Sequence, residues 1–288
     1  MQDLNFQLKQ ICERNRDGSY ETQANRHQAL QLMADHLCSM GYRRMQAKSL
    51  KPKHVEALII RYQDEGLSSG TIKNRLSHLR WWAEKINKQN VIARDNAYYG
   101  IESREFVSNE SKARSFDQTT LLRIKDEHIK ASLLLQKAFG LRREEAIKFI
   151  PSYADQGTFI RLKDTWCKGG KAREIPVRTS EQRTALDRAR LLAGKGSLIP
   201  PHLMYVDQLN VYKRETSRVG LSQLHGLRHR YAQLRYEELV GRPCPACGGP
   251  TSKELSEEER LNDRVARYAI SQELGHEREQ ITAVYLGR

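Results

Sequence analysis

The chain has 288 residues, enough for two domains and a sizeable core, and its 49 Lys and Arg against 35 Asp and Glu leave a formal charge of +14 at pH 7. That balance points to a polyanionic partner, nucleic acid ahead of a membrane surface, and no apolar run nears the roughly 18 residues needed to span a bilayer. Five cysteines do not read as a disulfide framework and fit a reducing cytoplasm, and the opening Met1 to Gln7 has neither the basic region nor the apolar core of a secretory signal.

The first third reads as helical. Leu30, Met33, Leu37 and Met40 recur at helical spacing before Gly41, and Lys51-Pro52 opens a second segment carrying Val55, Leu58 and Ile59. After Ser68 or Ser69 as a cap, Ile72, Leu76, Leu79, Ala83 and Ile86 form one apolar stripe. The other side of that helix shows Asn74, His78, Trp81 and Lys85, flanked by Lys73 and Arg80. We take Lys73, Arg75, His78, Arg80 and Trp81 as candidate nucleic-acid contacts, cations for phosphate and Trp81 for base or sugar packing. A merely solvated face, with Trp81 or Trp82 packed on a neighbouring helix, is the competing reading. From about Glu102 to Ser115 the sequence turns polar and loses its period, which places a linker at 104–116 between a domain of residues 1–103 and another of 117–288.

Helical pattern returns at Phe116, and Leu133, Leu134, Leu135, Ala138 and Phe139 predict a buried helix that stops at Gly140. Arg142 and Glu145 then share one helix face, where the carboxylate can hold the guanidinium in one rotamer; an ordinary exposed ion pair is the alternative. Two short strands, Thr158 to Leu162 and Arg173 to Val177, flank Trp166 to Lys171, and Gly169-Gly170 signals a hairpin with Lys168 near its turn. A lysine there can reach a minor groove and protonate a departing oxygen, unless it is simply a solvated turn residue. Thr179 and Gln182 read as a capping box, and Gly194 to Pro201 as a loop.

The segment from Leu221 to Tyr285 carries the densest chemistry: His225 and Arg228 in a His-x-x-Arg pair, Leu274-Gly275-His276, and Tyr285 nine residues after that histidine. A guanidinium can bind two non-bridging phosphate oxygens, imidazoles can donate to the same group, and a phenol can attack phosphorus. No clustered carboxylates suit a two-metal nuclease and no P-loop is present.

In order and near spacing, Gly140 to Glu145, the Lys168 hairpin, His225 to His229, Leu274 to His276 and Tyr285 resemble the tyrosine recombinase or phage-integrase family, with an ending most similar to integrases of mobile elements. The resemblance implies a mostly α fold with a small β-sheet, arranged as a two-domain clamp on double-stranded DNA: a helical core-binding domain and a tyrosine-recombinase-like catalytic domain. It implies strand cleavage and rejoining through a 3′-phosphotyrosine. Arg142 and Arg228 would clamp the scissile phosphate, with Glu145 orienting Arg142 and His225 donating to the phosphate. His276 would stabilise transition-state charge, Lys168 would be the general acid, and Tyr285 the nucleophile. No cofactor is expected. A homo-tetramer on paired sites, accessory DNA-bending proteins and a cytoplasmic, nucleoid-associated location follow from the same likeness. Type IB topoisomerase-like activity, or a non-catalytic DNA-binding protein of recombinase ancestry, are the rivals.

Two departures stand out. An inserted loop near 241–256 holds Cys244 and Cys247 at the spacing of half a zinc site, with no second pair following; a surface loop rounded by Pro and Gly is the other reading. Only Leu286, Gly287 and Arg288 follow the tyrosine, so subunit contacts are expected from another segment.

Overall fold

The computed structural model describes residues 3–104, 106–276 and 278–288. Two units, Met1–Glu105 and Phe106–Arg288, each have their own core. In the first, α1 (Leu4–Arg14), α2 (Tyr20–Ser39), α3 (Pro52–Asp64) and α4 (Ser69–Lys85) begin where local chemistry permits. The Ser19 and Ser68 hydroxyls accept from the Thr22 and Thr71 amides at 3.2 and 3.3 Å, and Pro52 occupies the first turn of α3, where no backbone donor is needed. Their apolar stripes meet: Leu30, Met33 and Leu37 of α2, Val55, Leu58 and Tyr62 of α3, and Ile72, Leu76 and Leu79 of α4 are all buried. Trp82 joins this core fully, its indole N–H donating to the Ala47 carbonyl at 3.1 Å, while the adjacent Trp81 stays at the surface side.

The second unit comprises α5 (Gln118–Arg123), α6 (Glu127–Phe139), α7 (Arg143–Ile147), α8 (Pro151–Ala154), β1 (Phe159–Leu162), β2 (Arg173–Pro176), α9 (Ser180–Ala193), α10 (Tyr205–Arg218), α11 (Gly226–Val240), α12 (Glu257–Leu274) and α13 (Glu279–Leu286). The mostly helical architecture with a small sheet is the one expected from sequence. Central α6 packs against α9 and α11. It ends because Gly140 turns left-handed (φ 62°), and a Cβ there would sit 2.7 Å from the Tyr231 ring. The strands pair antiparallel, Ile160 opposite Ile175. Their connection is not a tight Gly-Gly turn: residues 163–172 include a 3₁₀ turn at Asp164–Trp166, and Trp166 and Cys167 are drawn into the core.

Residues 109–114 are strapped to the second unit. Ser111 donates to Gln233 at 2.9 Å, the Arg114 amide to the Gly226 carbonyl at 3.0 Å, and Asn109 accepts from the Arg288 amide at 2.9 Å. Within 241–256, the turn Pro245–Cys247 packs against α13 with Ala246 in the core, and Ser256 and Glu259 close a capping box that starts α12. Among the described residues no helix is long and apolar enough to cross a membrane.

Candidate active site

The ends of four helices, α7, α11, α12 and α13, bring Arg142, Glu145, His225, Arg228, His276 and Tyr285 of the second unit together. Arg142 precedes the first turn of α7. Its backbone amide donates to Glu145 Oε2 at 2.7 Å and its Nη1 to Oε1 at 2.8 Å, so the carboxylate caps the helix and orients the guanidinium at once. Glu145 is fully buried, and this pair is therefore no ordinary surface ion pair.

Arg228, on the first turns of α11, is 1% exposed. Its Nη1 donates to the Gly140 carbonyl at 2.7 Å and its Nη2 to the Leu274 carbonyl, so the ends of α6 and α12 are joined through one side chain. Its Nε lies 3.3 Å from the Tyr285 hydroxyl, and His225 Nε2 lies 3.3 Å from the same oxygen. The His276 ring stacks on Tyr285 with centroids 5.4 Å apart, and its Nε2 is 3.4 Å from Arg228 Nη2. Facing an arginine N–H, that nitrogen acts as acceptor, which leaves the proton on Nδ1; Nδ1 is buried and has no hydrogen-bond partner among the described residues. Tyr285 is itself buried, with its carbonyl held by Gln233 at 3.0 Å.

Electrostatics follow from this crowding. Burial opposes the charge on Glu145, but Arg173, Arg228 and Arg142 overcome it and hold the carboxyl down at about 2. Arg228 is pushed down to about 10 by burial, with Arg142 and Arg173 adding repulsion. Burial and then Arg228 lower His225 and take His276 down to about 3, so both imidazoles are neutral at pH 7.

Lys168 lies exposed in the 163–172 connection and makes no ion pair or hydrogen bond among the described residues. Sequence reading gave no role to two residues that the fold brings here. His229, one turn after His225, packs on Tyr285 with centroids 4.5 Å apart, and burial and then His225 take it down to about 4. Arg173 forks onto Glu145 with Nη1 at 2.9 Å and Nη2 at 2.7 Å. Its signal was available: in β2 it falls on the same inward face as Ile175, and a charge there requires a partner.

In the first unit the five candidate contacts of α4 separate. Arg80 Nη2 is committed to the Ala93 carbonyl at 2.9 Å and Asn96 Oδ1 at 2.9 Å. Trp81 donates to Asp17 at 2.9 Å and lies under the Arg26 guanidinium at 4.2 Å, so its indole is engaged within the unit rather than presented for base packing. Arg75 lies over the Tyr62 ring, and His78 is half-buried. Lys73 remains half-exposed and outside any ion pair among the described residues. Sequence reading passed over a second feature: a concavity of about 490 Å³ at the α2–α3 corner, lined by Tyr42, Arg43, Arg44, Lys51, Lys53 and His54. Its four cations are exposed and in no ion pair among the described residues.

Cys244 is buried and Cys247 exposed on one turn; burial, then Cys247, pushes the Cys244 thiol up to about 12. Among the described residues no third His, Cys, Asp or Glu joins them in a metal-holding group, so the half-site stays half.

The second unit thus gathers a buried arginine-carboxylate core and a phenol held on an arginine and flanked by histidines. Residues 1–91 match the family described as phage integrase, N-terminal, and residues 100–234 match the integrase family. The chain belongs to the tyrosine recombinase, or phage-integrase, family. Solved structures agree in fold. A lambda integrase dimer bound to a COC′ core site has a TM-score of 0.64 at 15% identity, covering 99% of this chain and 78% of that one. The Tn1549 transposon integrase in complex with circular intermediate DNA gives 0.58 at 14%, covering 100% and 96%, and the XerH site-specific recombinase bound to difH gives 0.56 at 16%, covering 98% and 80%. No curated protein matches by sequence. The integrase match ends before His276 and Tyr285, so the reading of those two rests on their geometry.

Proposed function

We propose that this chain is a site-specific DNA recombinase or integrase that cuts and rejoins strands by transesterification. The observation that carries the reading is the Tyr285 hydroxyl, 3.3 Å from both Arg228 Nε and His225 Nε2 of its own chain. In the first step Tyr285 Oη attacks the scissile phosphorus, its proton passing to neutral His225. The P–O5′ bond breaks as Lys168 protonates the departing oxygen, leaving a 3′-phosphotyrosine and a free 5′-hydroxyl. Arg142, Arg228 and the Nδ1–H of His276 offset the charge that builds on the pentacoordinate phosphorus. Rejoining reverses each transfer. Bond energy is kept in the ester, so the chemistry draws on no high-energy cofactor.

Within this reading the exposed cations of the first unit, around the α2–α3 corner and at Lys73, hold duplex backbone, as do Arg143 and Lys213, which line a concavity of about 530 Å³ beside His225. Strand exchange requires paired sites, and a lambda integrase tetramer on a Holliday junction is similar in fold; a homo-tetramer on two duplexes is the working assembly. The test is a denaturing gel for a protein-DNA adduct on a nicked duplex selected by this chain from a random-sequence pool. The native chain is expected to form the adduct and Tyr285→Phe to form none. An adduct that persists with Phe sinks Tyr285 as nucleophile, and a bound duplex without adduct sinks the enzyme.

A further inference from the structure

Arg173 is 8% exposed and touches three separate segments, each adjacent to a different candidate catalytic residue. Toward α7 it forks onto Glu145, sharing Oε1 with Arg142 Nη1 and Oε2 with the Arg142 amide, so the carboxylate is fully engaged by two arginines. Toward the β1–β2 connection its Nη1 donates to Cys167 Sγ at 3.2 Å, and Cys167 is the residue before Lys168. Toward the end of α12 its Nε donates to the Glu273 carbonyl at 2.9 Å. It also packs under Gly275, where a Cβ would meet Arg173 Cδ at 2.8 Å; Gly275 is the residue before His276.

Among the described residues, Lys168 itself makes no ion pair or hydrogen bond that would fix it. The segment that carries it is held from below, by the buried Trp166 and by the Cys167–Arg173 contact. We propose that Arg173 is a positioning residue for strand cleavage, which sets the Lys168 segment in register with the Arg142–Glu145 clamp and the His276 turn. An arginine suits this because its planar fork sends donors in three directions at once; a lysine, with one nitrogen, cannot serve Glu145, Cys167 and Glu273 together. Gly275 belongs to the same arrangement, since a larger residue there would displace the Arg173 stem.

This inference rests on the proposed recombinase reading and on Lys168 as the acid. Its test therefore compares Arg173→Lys with Lys168→Ala in the full chain, in single-turnover adduct formation on two nicked duplexes. One has an ordinary scissile phosphodiester; the other has sulfur in place of the bridging 5′ oxygen, a leaving group that needs no proton. Arg173→Lys is expected to bind duplex within about threefold of the native chain, to lose about 100-fold in adduct rate on the phosphodiester, and to recover most of that loss on the sulfur substrate, as Lys168→Ala does. A native rate on the phosphodiester overturns the inference, and so does an equal loss on both substrates, which would make Arg173 a support of the clamp alone. Should Arg173→Lys lose duplex binding through misfolding, Cys167→Val carries the test, because it severs only the contact toward Lys168 and keeps the buried ion pair. It is expected to lose about threefold to tenfold on the phosphodiester and nothing on sulfur; equal loss or no loss overturns the inference. If the native chain forms no adduct on either duplex, the recombinase reading fails, and that outcome is distinct from the others.

Discussion

Arg228 and the cations of the α2–α3 corner carry the same charge in opposite surroundings. Arg228 is buried, faces two backbone carbonyls and a phenol, and has no carboxylate directly on it among the described residues. Arg43, Arg44, Lys51 and Lys53 are exposed around an open concavity and have no carboxylate partner among the described residues. The first arrangement suits chemistry, since a cation already desolvated and fixed needs no rearrangement when charge builds on phosphorus. The second suits binding, since hydrated, unpaired cations can replace the counterions of a nucleic-acid backbone with little loss. On the proposed reading, separate residues supply rate and affinity, and this separation can be broken experimentally.

The largest effect is expected at the buried end. Replacing Arg228 by lysine keeps the charge but removes the fork that joins Gly140, Leu274 and Tyr285. Adduct formation should fall by about 1,000-fold while duplex affinity stays within about threefold, measured by single-turnover gels and by fluorescence anisotropy. If affinity falls in step with rate, Arg228 is a binding residue and the separation is false.

Glu145 sharpens the same contrast through pH. Its carboxyl is held down at about 2 in the folded chain, where the ordinary glutamate value is about 4.3. A depressed value means that the stabilisation is complete above the ordinary range and is lost as pH falls through the folded value, here from about pH 5 toward pH 2. The difference corresponds to about 3 kcal/mol. Glu145→Gln should therefore lower the urea midpoint of the second unit at pH 7 and flatten its acid dependence below pH 5. An unchanged acid profile would mean that Arg142 and Arg173 do not stabilise the carboxylate.

What the sequence disclosed, and what it withheld, divides along local and distant contacts. The stop of α6 at Gly140 and the Thr179–Gln182 box are decided within a few residues, so spacing alone placed them. The motif residues Arg142, Glu145, His225, Arg228, His276 and Tyr285 were legible as chemistry, and the fold brings them together. Arg173 was not, because its partners Glu145 and Glu273 lie 28 and 100 residues away in the chain. The partner of Trp81 was hidden for the same reason: helical periodicity puts it on the polar side, and Asp17, 64 residues off, takes its indole. Helix α10 escaped notice because Gln208, Glu215 and Thr216 lie on its buried face, leaving little apolar period to read.

The smallest expected effect tests the exposed side. If the α2–α3 corner contacts backbone, changing Arg43 and Arg44 together to glutamine should reduce the slope of log affinity against log salt by about 2, close to one phosphate contact per residue, whatever the duplex sequence. Lys73→Gln should reduce it by about 1. Arg80→Gln should leave the slope unchanged while loosening the 93–96 segment that its guanidinium holds, because its donors face protein carbonyls and Asn96 rather than solvent. A slope that falls for Arg80→Gln and not for the Arg43 and Arg44 pair would move the duplex-holding surface from the α2–α3 corner to α4. It would also show that an arginine can be hydrogen-bonded within the fold and still release counterions, so that exposure alone does not mark the cations that bind.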